Sequence, residues 1–376
     1  HDALPICRAL TCPDRVMVHQ CVNCDRERAC VRAGDGRALC KVCFNDWFEN
    51  TIHRCIVEHE LFHPGDVIAL GVSGGKDSTA MLHALLKLHK KHKYPVTFKG
   101  VAVDEGIAGY RDDSLRCVER NRDRYGCDVH IVSFMELFGG TLDKVACISQ
   151  GKEKMCSYCG ILRRNALSVG AAAAGCTLIA TGHNADDQAE TVLLNLFRGD
   201  VNRLRRAGGL RSELGVGLPR IKPLALCRQR DIVMYCYHNR LDYFATECPY
   251  AVTAFRSLPR TLLVALSSPA VQPTAVTGTI ETGVKLLEHT LAQEREREEG
   301  KADTAPGSLG ACRGCNQTAP VPNPRQKLSG PPISSCKDCG SPIMTGSTCQ
   351  TCMIHAAILA EDPKMLHKVL TSSSKR

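Results

Sequence analysis

No uninterrupted apolar run in the 376-residue chain approaches the ~20 residues that a membrane-spanning helix needs, so no helical span is expected. The low hydrophobicity of a disordered chain is missing too, since 44% hydrophobic and 23% charged residues are globular values. No internal repeat is evident beyond similar cysteine knuckles near the two ends, so a repeat array is not indicated. The chain opens on His1, which reads as a piece lacking its true start, so the lack of a targeting segment carries no weight. Its length accommodates a core of ~200 residues plus smaller modules. The net charge of +9 suits a polyanionic partner but is weak evidence by itself.

Cysteine, by contrast, is abundant. Twenty-three cysteines in a chain of this length do not fit a secreted disulfide scaffold, which is short. Most form Cys-x2-Cys pairs, the spacing that puts two thiolates on one metal: Cys21/Cys24, Cys40/Cys43, Cys156/Cys159, Cys312/Cys315, Cys336/Cys339 and Cys349/Cys352. Metal sites in a reducing compartment follow. Fifteen residues separate Cys24 from Cys40, within the rule for a four-cysteine zinc site. Near the other end the spacing is ambiguous, with nine residues between Cys339 and Cys349 and twenty between Cys315 and Cys336. The remaining cysteines, Cys248 apart, read as small buried hydrophobes or surface thiols.

The most informative stretch is Gly71-Val72-Ser73-Gly74-Gly75-Lys76-Asp77-Ser78, between an apolar run from Val67 and a helical pattern from Thr79. A Gly-rich turn from strand to helix presents free backbone amides at a helix N-terminus, a natural seat for phosphate. It is not a Walker A loop, because only three residues separate Gly71 from Gly75 and Asp77 follows the Lys. Strand candidates at 67–72, 98–104, 129–134 and 177–181 alternate with helices near 76–92, 112–125, 161–174 and 186–197. That alternation implies an α/β fold with a parallel, doubly wound sheet. Ligands in such sheets sit beyond the strands' carboxyl ends, where Ser73–Ser78, Asp104-Glu105-Gly106 and Gly182-His183-Asn184 all fall.

Past Phe197 the chain is rich in arginine (Arg198, Arg203, Arg205, Arg206, Arg211), followed by Arg220, Lys222, Arg228 and Arg230. The run reads either as a solvated loop or as a track for an RNA backbone. Tyr235, Tyr237, Tyr243 and Phe244 lie near it and could stack on bases or simply pack. A helix is expected near 229–239, and residues ~300–335 read as a flexible Gly/Pro/Ser linker. Inside the core, Cys156-x-x-Cys159-Gly160 with the distant Cys248 supplies three thiols, one short of a closed zinc site. Three cysteines on a 4Fe–4S cluster would leave one iron open, but a redox disulfide, a zinc with a further ligand or unrelated buried cysteines also fit the spacing.

Ser73-Gly-Gly-Lys-Asp-Ser78, Val103-Asp-Glu-Gly-Ile107, Gly109-Tyr110-Arg111, Cys156-x-x-Cys159-Gly160, Leu162-Arg163-Arg164, Thr181-Gly-His-Asn-Ala-Asp-Asp187, Glu190-Thr191, Arg198-Gly199-Asp200, Leu241-Asp-Tyr-Phe244 and Glu247-Cys248 run in register from about Cys21 to Phe255. In these residues the chain resembles the PP-loop ATP pyrophosphatases that thiolate tRNA. These are the thiouridylase subunits of cytoplasmic 2-thiolation complexes and the bacterial and archaeal tRNA two-thiouridine synthetases. The resemblance implies an adenine nucleotide alpha hydrolase-like core with zinc ribbons at both ends. The domains are expected as an irregular 1–20, a zinc finger 21–55, a core 56–270, helix and linker 271–335, a second zinc finger 336–360 and a basic tail 361–376. Zinc ligands map onto Cys21, Cys24, Cys40 and Cys43, and onto Cys336, Cys339, Cys349 and Cys352, leaving Cys312/Cys315 extra. Cluster ligands map onto Cys156, Cys159 and Cys248.

The implied reaction is ATP-dependent 2-thiolation of wobble uridine. The uracil 2-oxygen attacks the α-phosphorus, pyrophosphate leaves, and sulfur then displaces AMP. Ser73, Gly74, Gly75, Lys76, Asp77 and Ser78 would hold the phosphates, with Val103, Asp104, Gly182, His183 and Asp187 around the nucleotide. Asp77, Asp186 or Asp187 could hold Mg²⁺, although acidic residues in a helix's first turn also suit the helix itself. Lys76, Asp77, Asp187, Arg163, Cys159 and Cys248 are the catalytic candidates. Bacterial relatives can carry Lys where Arg163 stands; an Arg remains protonated, so charge stabilisation is the role assigned to it. Sulfur would be held on the cluster's open iron or as a persulfide on Cys159 or Cys248.

Implied partners are tRNA (Lys, Glu and Gln isoacceptors), a second related subunit and a ubiquitin-like sulfur carrier, with no membrane, a homodimer as an open option, and a cytoplasmic location. Two other readings are weighed: a PP-loop enzyme that adenylates tRNA and adds nitrogen, which has no use for the three core thiols, and a non-enzymatic zinc-ribbon RNA scaffold, against which the intact loop argues.

Overall fold

The computed structural model describes residues 20–150, 155–201, 203–204, 209–212, 217–251, 256–268, 271–272, 274–302, 334–335, 338, 342–343 and 348–373. A two-stranded ribbon, β1 (Val31–Arg32) and β2 (Ala38–Leu39), is followed by α1 (Lys41–Glu58). The core then runs β3 (Val67–Gly71), α2 (Lys76–His92), β4 (Thr97–Asp104), α3 (Arg111–Tyr125) and β5 (Val129–Ser133). Two short helices, α4 (Phe134–Phe138) and α5 (Leu142–Ile148), precede α6 (Met155–Ala173), β6 (Leu178–Ala180), α7 (Ala185–Phe197), β7 (Arg211–Ser212) and β8 (Arg220–Ile221). Helices Gln229–Asn239, Ser257–Leu266, Ala275–Ala302, Gln350–Ala360 and Pro363–Ser373, with an antiparallel pair of Ser334–Ser335 and Pro342–Ile343, complete the described chain.

The six strands form one sheet in the order β5-β4-β3-β6-β8-β7, parallel throughout except for β7. Ile68, Ala69 and Leu70 of β3 are fully buried, which is why this strand reads as an unbroken apolar run. From β3 the chain winds outward through β4 to β5, then returns to place β6 on the other side of β3. The winding therefore reverses between β3 and β6, and ligands bind at such a switch point, outside the strands' carboxyl ends.

Strand and helix positions lie within a residue or two of the sequence expectation, with one informative exception. α6 begins at Met155, six residues before the expected 161. The residues Met155-Cys-Ser-Tyr-Cys-Gly160 carry weak helix propensity, but Met155, Tyr158 and Leu162 are buried in one apolar cluster, and packing overrides propensity. The short α4 and α5 and the antiparallel β7–β8 pair had no counterpart in the sequence reading.

The N-terminal module is continuous with the core. Cys21, Cys40 and Cys43 share a buried cluster with Phe44 and Phe48 of α1, Leu70 of β3, Met81 of α2 and Tyr235. Phe48 stacks on Tyr235 at 4.3 Å.

Candidate nucleotide and thiol site

The phosphate-type loop is built by backbone conformation. Gly74 adopts φ +73°, and a Cβ there would come within 2.6 Å of the Ser114 carbonyl oxygen, so both conformation and space demand glycine. Ser78 Oγ donates to the Gly75 carbonyl at 3.0 Å and accepts from the Ser73 amide at 3.2 Å, which closes the loop on itself. Gly75 caps α2 without a side chain, so no side chain competes for the first-turn amides. Lys76 Nζ lies 2.8 Å from Asp77 Oδ2.

The end of β6 presses against this loop. A Cβ on Gly182 would meet the backbone of Asp77 and Ser78 at 3.1 Å. Asn184 donates from Nδ2 to Asp77 Oδ1 at 3.3 Å and forms a reciprocal capping box with Asp187 at the start of α7. Burial raises Asp77 above the usual carboxylate range; Lys76 opposes this and the Asp187 charge adds to it. The two carboxylates are thus close enough to feel one another. Asp187 also receives Arg256 at 3.1 Å. Asp186 points elsewhere, accepting from the Gln229 amide at 2.7 Å and facing Arg228 at 3.3 Å, so it secures helix Gln229–Asn239. His183 bonds Thr181 Oγ1 at 2.9 Å through Nδ1, and burial lowers its pKa. Burial also lowers Lys222 to about 8, against the pull of Asp187.

At the end of β4, Asp104 accepts from the Gly106 amide at 2.8 Å and lies 3.5 Å from Arg111, with Val103 beside it in the strand. Glu105 is buried and holds Arg163 at 2.7 Å. Burial works against the Arg163 charge, but Glu105 and the neighbouring thiols more than offset it, so the guanidinium stays protonated. Cys156, Cys159 and Cys248 gather around this pair. Burial pushes Cys159 up to about 11 and also raises Cys156, while Arg163 favours both thiolates. Cys156 and Cys159 stand three residues apart near the start of α6, on one face of the helix. Among the described residues, only Cys21, Cys24, Cys40 and Cys43 bring their ligand atoms within 4.8 Å of one another. Cys156, Cys159 and Cys248 do not converge to that distance.

The N-terminal four fit a tetrahedral ion. Burial raises the Cys21 and Cys40 thiols; backbone amides overcome it at Cys21, drawing it to about 6, whereas Cys40 is pushed up to about 12. Cys40 also caps α1, accepting from the Cys43 amide at 3.5 Å. Cys349 caps helix Gln350–Ala360 in the same way, accepting from Cys352 at 3.5 Å. Cys336 and Cys339 lie outside the described residues.

Much of the expected basic track is committed internally. Arg220 donates to the Arg164 carbonyl and Ser168 at 2.7 Å, Lys222 to the Gly209 carbonyl at 2.8 Å, and Arg230 to the Arg32 carbonyl at 2.6 Å. Arg205 and Arg206 fall outside the described residues. Tyr235 is a core residue bonded to Glu49, and Phe244 packs on Tyr110, which leaves Tyr237 as the well-exposed ring. Sequence reasoning gave no role to Glu105 or Arg256. Glu105 could have been suspected from its place at a strand end; Arg256 carries no local signal.

The PP-loop domain family matches residues 46–266. The chain is 44% identical over 269 residues to cytoplasmic tRNA 2-thiolation protein 1 of Xenopus laevis, covering 71% of this chain and 78% of that protein. It is 40% identical over 347 residues to the Meyerozyma guilliermondii protein of that name, covering 92% and 91%. Among solved structures it is similar to the U34-tRNA thiolase NcsA of Methanococcus maripaludis with its 4Fe–4S cluster, at 28% identity and a TM-score of 0.64, over 73% of this chain and 89% of that one.

Proposed function

The chain belongs to the PP-loop domain family and, within it, to the cytoplasmic tRNA 2-thiolation proteins, and from that membership we propose that it is a cytoplasmic tRNA sulfurtransferase acting on wobble uridine. The observation that carries the reading is the adjacency of two chemistries at neighbouring strand ends: a phosphate loop after β3, and three thiols with a charged Arg163–Glu105 pair after β4.

In the first step the uracil 2-oxygen attacks the α-phosphorus of ATP, the bond to the β-phosphate oxygen breaks, and pyrophosphate leaves. First-turn amides of α2, the Ser73 and Ser78 hydroxyls and Lys76 hold the leaving phosphates. These donors are already in place and need no reorganisation as charge develops. Val103 and Asp104 flank the adenosine, and Gly182 and His183 close the far side. Asp77 and Asp187 fit Mg²⁺, which takes one or two carboxylates plus phosphate oxygens and would neutralise the pyrophosphate. Asp187 also orients the base.

In the second step a sulfur at the hydrosulfide level attacks C2, the C–O bond breaks, and AMP leaves with its electron pair. Arg163, held charged by Glu105, stabilises that negative charge. Cys156, Cys159 and Cys248 fit the three-thiolate side of a 4Fe–4S cluster, which when bound supplies an open iron that can carry sulfur. Zinc suits the N-terminal four-cysteine set, and the second zinc site would pair Cys349 and Cys352 with Cys336 and Cys339. The family resemblance implies a ubiquitin-like sulfur carrier and a related second subunit as partners, with Lys, Glu and Gln tRNAs as substrates.

Incubation with ATP labelled at the α- and γ-phosphates, unmodified tRNA transcript and sulfide tests this. AMP and pyrophosphate are expected, dependent on tRNA and lost in Asp187→Asn. ADP with orthophosphate would refute the scheme.

A further inference from the structure

Glu190 of α7 is a carboxylate taken almost wholly out of water, at 2% exposure. A charge so placed persists only where cations meet it. Two arginines do so, Arg256 at the N-cap of helix Ser257–Leu266 and Arg260 one turn on. Arg256 Nε lies 2.6 Å from Glu190 Oε2, and Arg260 Nε lies 2.8 Å from Oε1. The second bond of Arg260, from Nη2 at 3.4 Å, returns to the same carboxylate. Arg256 reaches further. Its Nη2 donates to the Asp187 main-chain carbonyl at 3.0 Å and to Asp187 Oδ1 at 3.1 Å.

A guanidinium is planar and rigid, so an Nε held on Glu190 sets where Nη2 points. Glu190 stands three residues after Asp187, on the same face of α7, which lets one fork span both acids. The other Asp187 oxygen, Oδ2, accepts from the Asn184 amide at 3.2 Å. Both oxygens are therefore assigned, one by the helix's own cap and one by an arginine 69 positions away in the chain. The constraint matters because Asp77 is near, and the Asp187 charge helps to raise its carboxyl. Two like charges in mutual range push each other aside unless a cation and a fixed geometry oppose them. No step above uses Arg256 or Glu190. We infer that Arg256, aimed by the buried Glu190, is a positioning residue for adenylation that fixes the Asp187 carboxylate beside the phosphate loop. The inference rests on the adenylation reading above, because Asp187 is where Arg256 acts.

Arg256→Lys keeps a cation beside Glu190 but has no planar fork to span both acids. Its kcat for tRNA-dependent AMP formation is expected to fall about tenfold or more, since misplacing a reacting group by ~1 Å can cost ~10²-fold. KM for ATP should stay within about twofold, because the loop that holds the phosphates is untouched. Arg260→Lys is the matched control, because Arg260 bonds Glu190 and not Asp187. It should lower the melting temperature at least as far, yet keep kcat within about twofold of the parent. Glu190→Gln keeps the shape and removes the charge that aims Arg256, so its kcat should fall as in Arg256→Lys. Solved structures of the parent and of Arg256→Lys read the same effect without turnover, with Asp187 Oδ1 expected to leave its place. Losses of kcat in Arg256→Lys and Arg260→Lys that merely track their melting temperatures would overturn the inference, and so would an unmoved Asp187 carboxylate. A parent protein that forms no AMP refutes the sulfurtransferase reading instead, and the Asp187 displacement still decides this one.

Discussion

At the scale of single residues, the nucleotide site depends on two glycines that do different jobs. Gly74 is needed for its backbone conformation and for the room it leaves beside Ser114. Gly182 is needed only for closeness: its φ is not positive, but its α-carbon lies against the backbone of Asp77 and Ser78. An added methyl there would push apart the two strand ends that hold Asp77 and Asp187 by a few tenths of an ångström. Because a misplacement of ~1 Å can cost ~10²-fold in rate, Gly182→Ala is expected to lower kcat/KM for AMP formation by about tenfold while leaving folding nearly intact. Gly278→Ala, whose Cβ would meet nothing within 4 Å, is the matched control and should react at the parent rate. Wild-type kinetics in Gly182→Ala would show that this contact does not position the site.

At the scale of elements, the segment from Asp242 to Tyr250 straps the two chemistries together. Asn121 of α3 donates to the Asp242 carbonyl at 3.0 Å, and Phe244 donates its amide to the Gly74 carbonyl at 2.8 Å. The Tyr250 carbonyl accepts from Cys156 at 3.6 Å, and Cys248 lies between these anchors. The Arg120–Asp242 ion pair is about half exposed at both ends, so it contributes roughly 0–1 kcal/mol. The Asn121 bond is part-buried, and its loss leaves the Asp242 carbonyl only the weak Cys117 thiol donor at 3.5 Å, at about 1 kcal/mol or more. Asn121→Ala should therefore destabilise the protein more than Arg120→Ala in denaturant melts. It should also speed alkylation of Cys248 in the reduced, metal-free protein. Equal effects from the two variants would place the anchor at the surface.

This strap also marks where the sequence stopped being legible. The loop 73–78 could be read because strand, turn and helix are contiguous, and the Cys21–Cys43 spacing because metal geometry acts over short distances. The Glu105–Arg163 pair, Arg256 on Asp187, and the hold of Phe244 on Gly74 join residues 58 to 170 positions apart, and no periodicity encodes them. The early start of α6 was hidden for the same reason, since it rests on tertiary burial of Met155 and Tyr158.

At the scale of the molecule, the cysteine-bearing ends of the described chain pack into the core. Cys40 is at once a metal-ligand candidate, the N-cap of α1 and a member of the main apolar cluster, and α1 carries Glu49, which bonds Tyr235 at 2.9 Å and Lys87 at 2.7 Å. At the other end, Ile354, Ala357 and Ile358 bury against the cluster that contains Tyr158 and Leu162 of the thiol-bearing α6, and Tyr158 donates to the Leu366 carbonyl at 3.1 Å. An autonomous zinc finger would melt alone when stripped and leave the core untouched. Zinc held by Cys21, Cys24, Cys40 and Cys43 would act through α1 on the sheet, and structural zinc sites supply on the order of 10 kcal/mol to folding. Chelation of the purified protein should therefore lower its main calorimetric transition by roughly 20 °C, at ~2 °C per kcal/mol, the low end of the scale for domains of 150–250 residues. The transition should remain single, and added Zn²⁺ should restore it. A small separate low-temperature transition with an unmoved main peak would mean that Phe44, Phe48 and Tyr235 do not couple the module to the core.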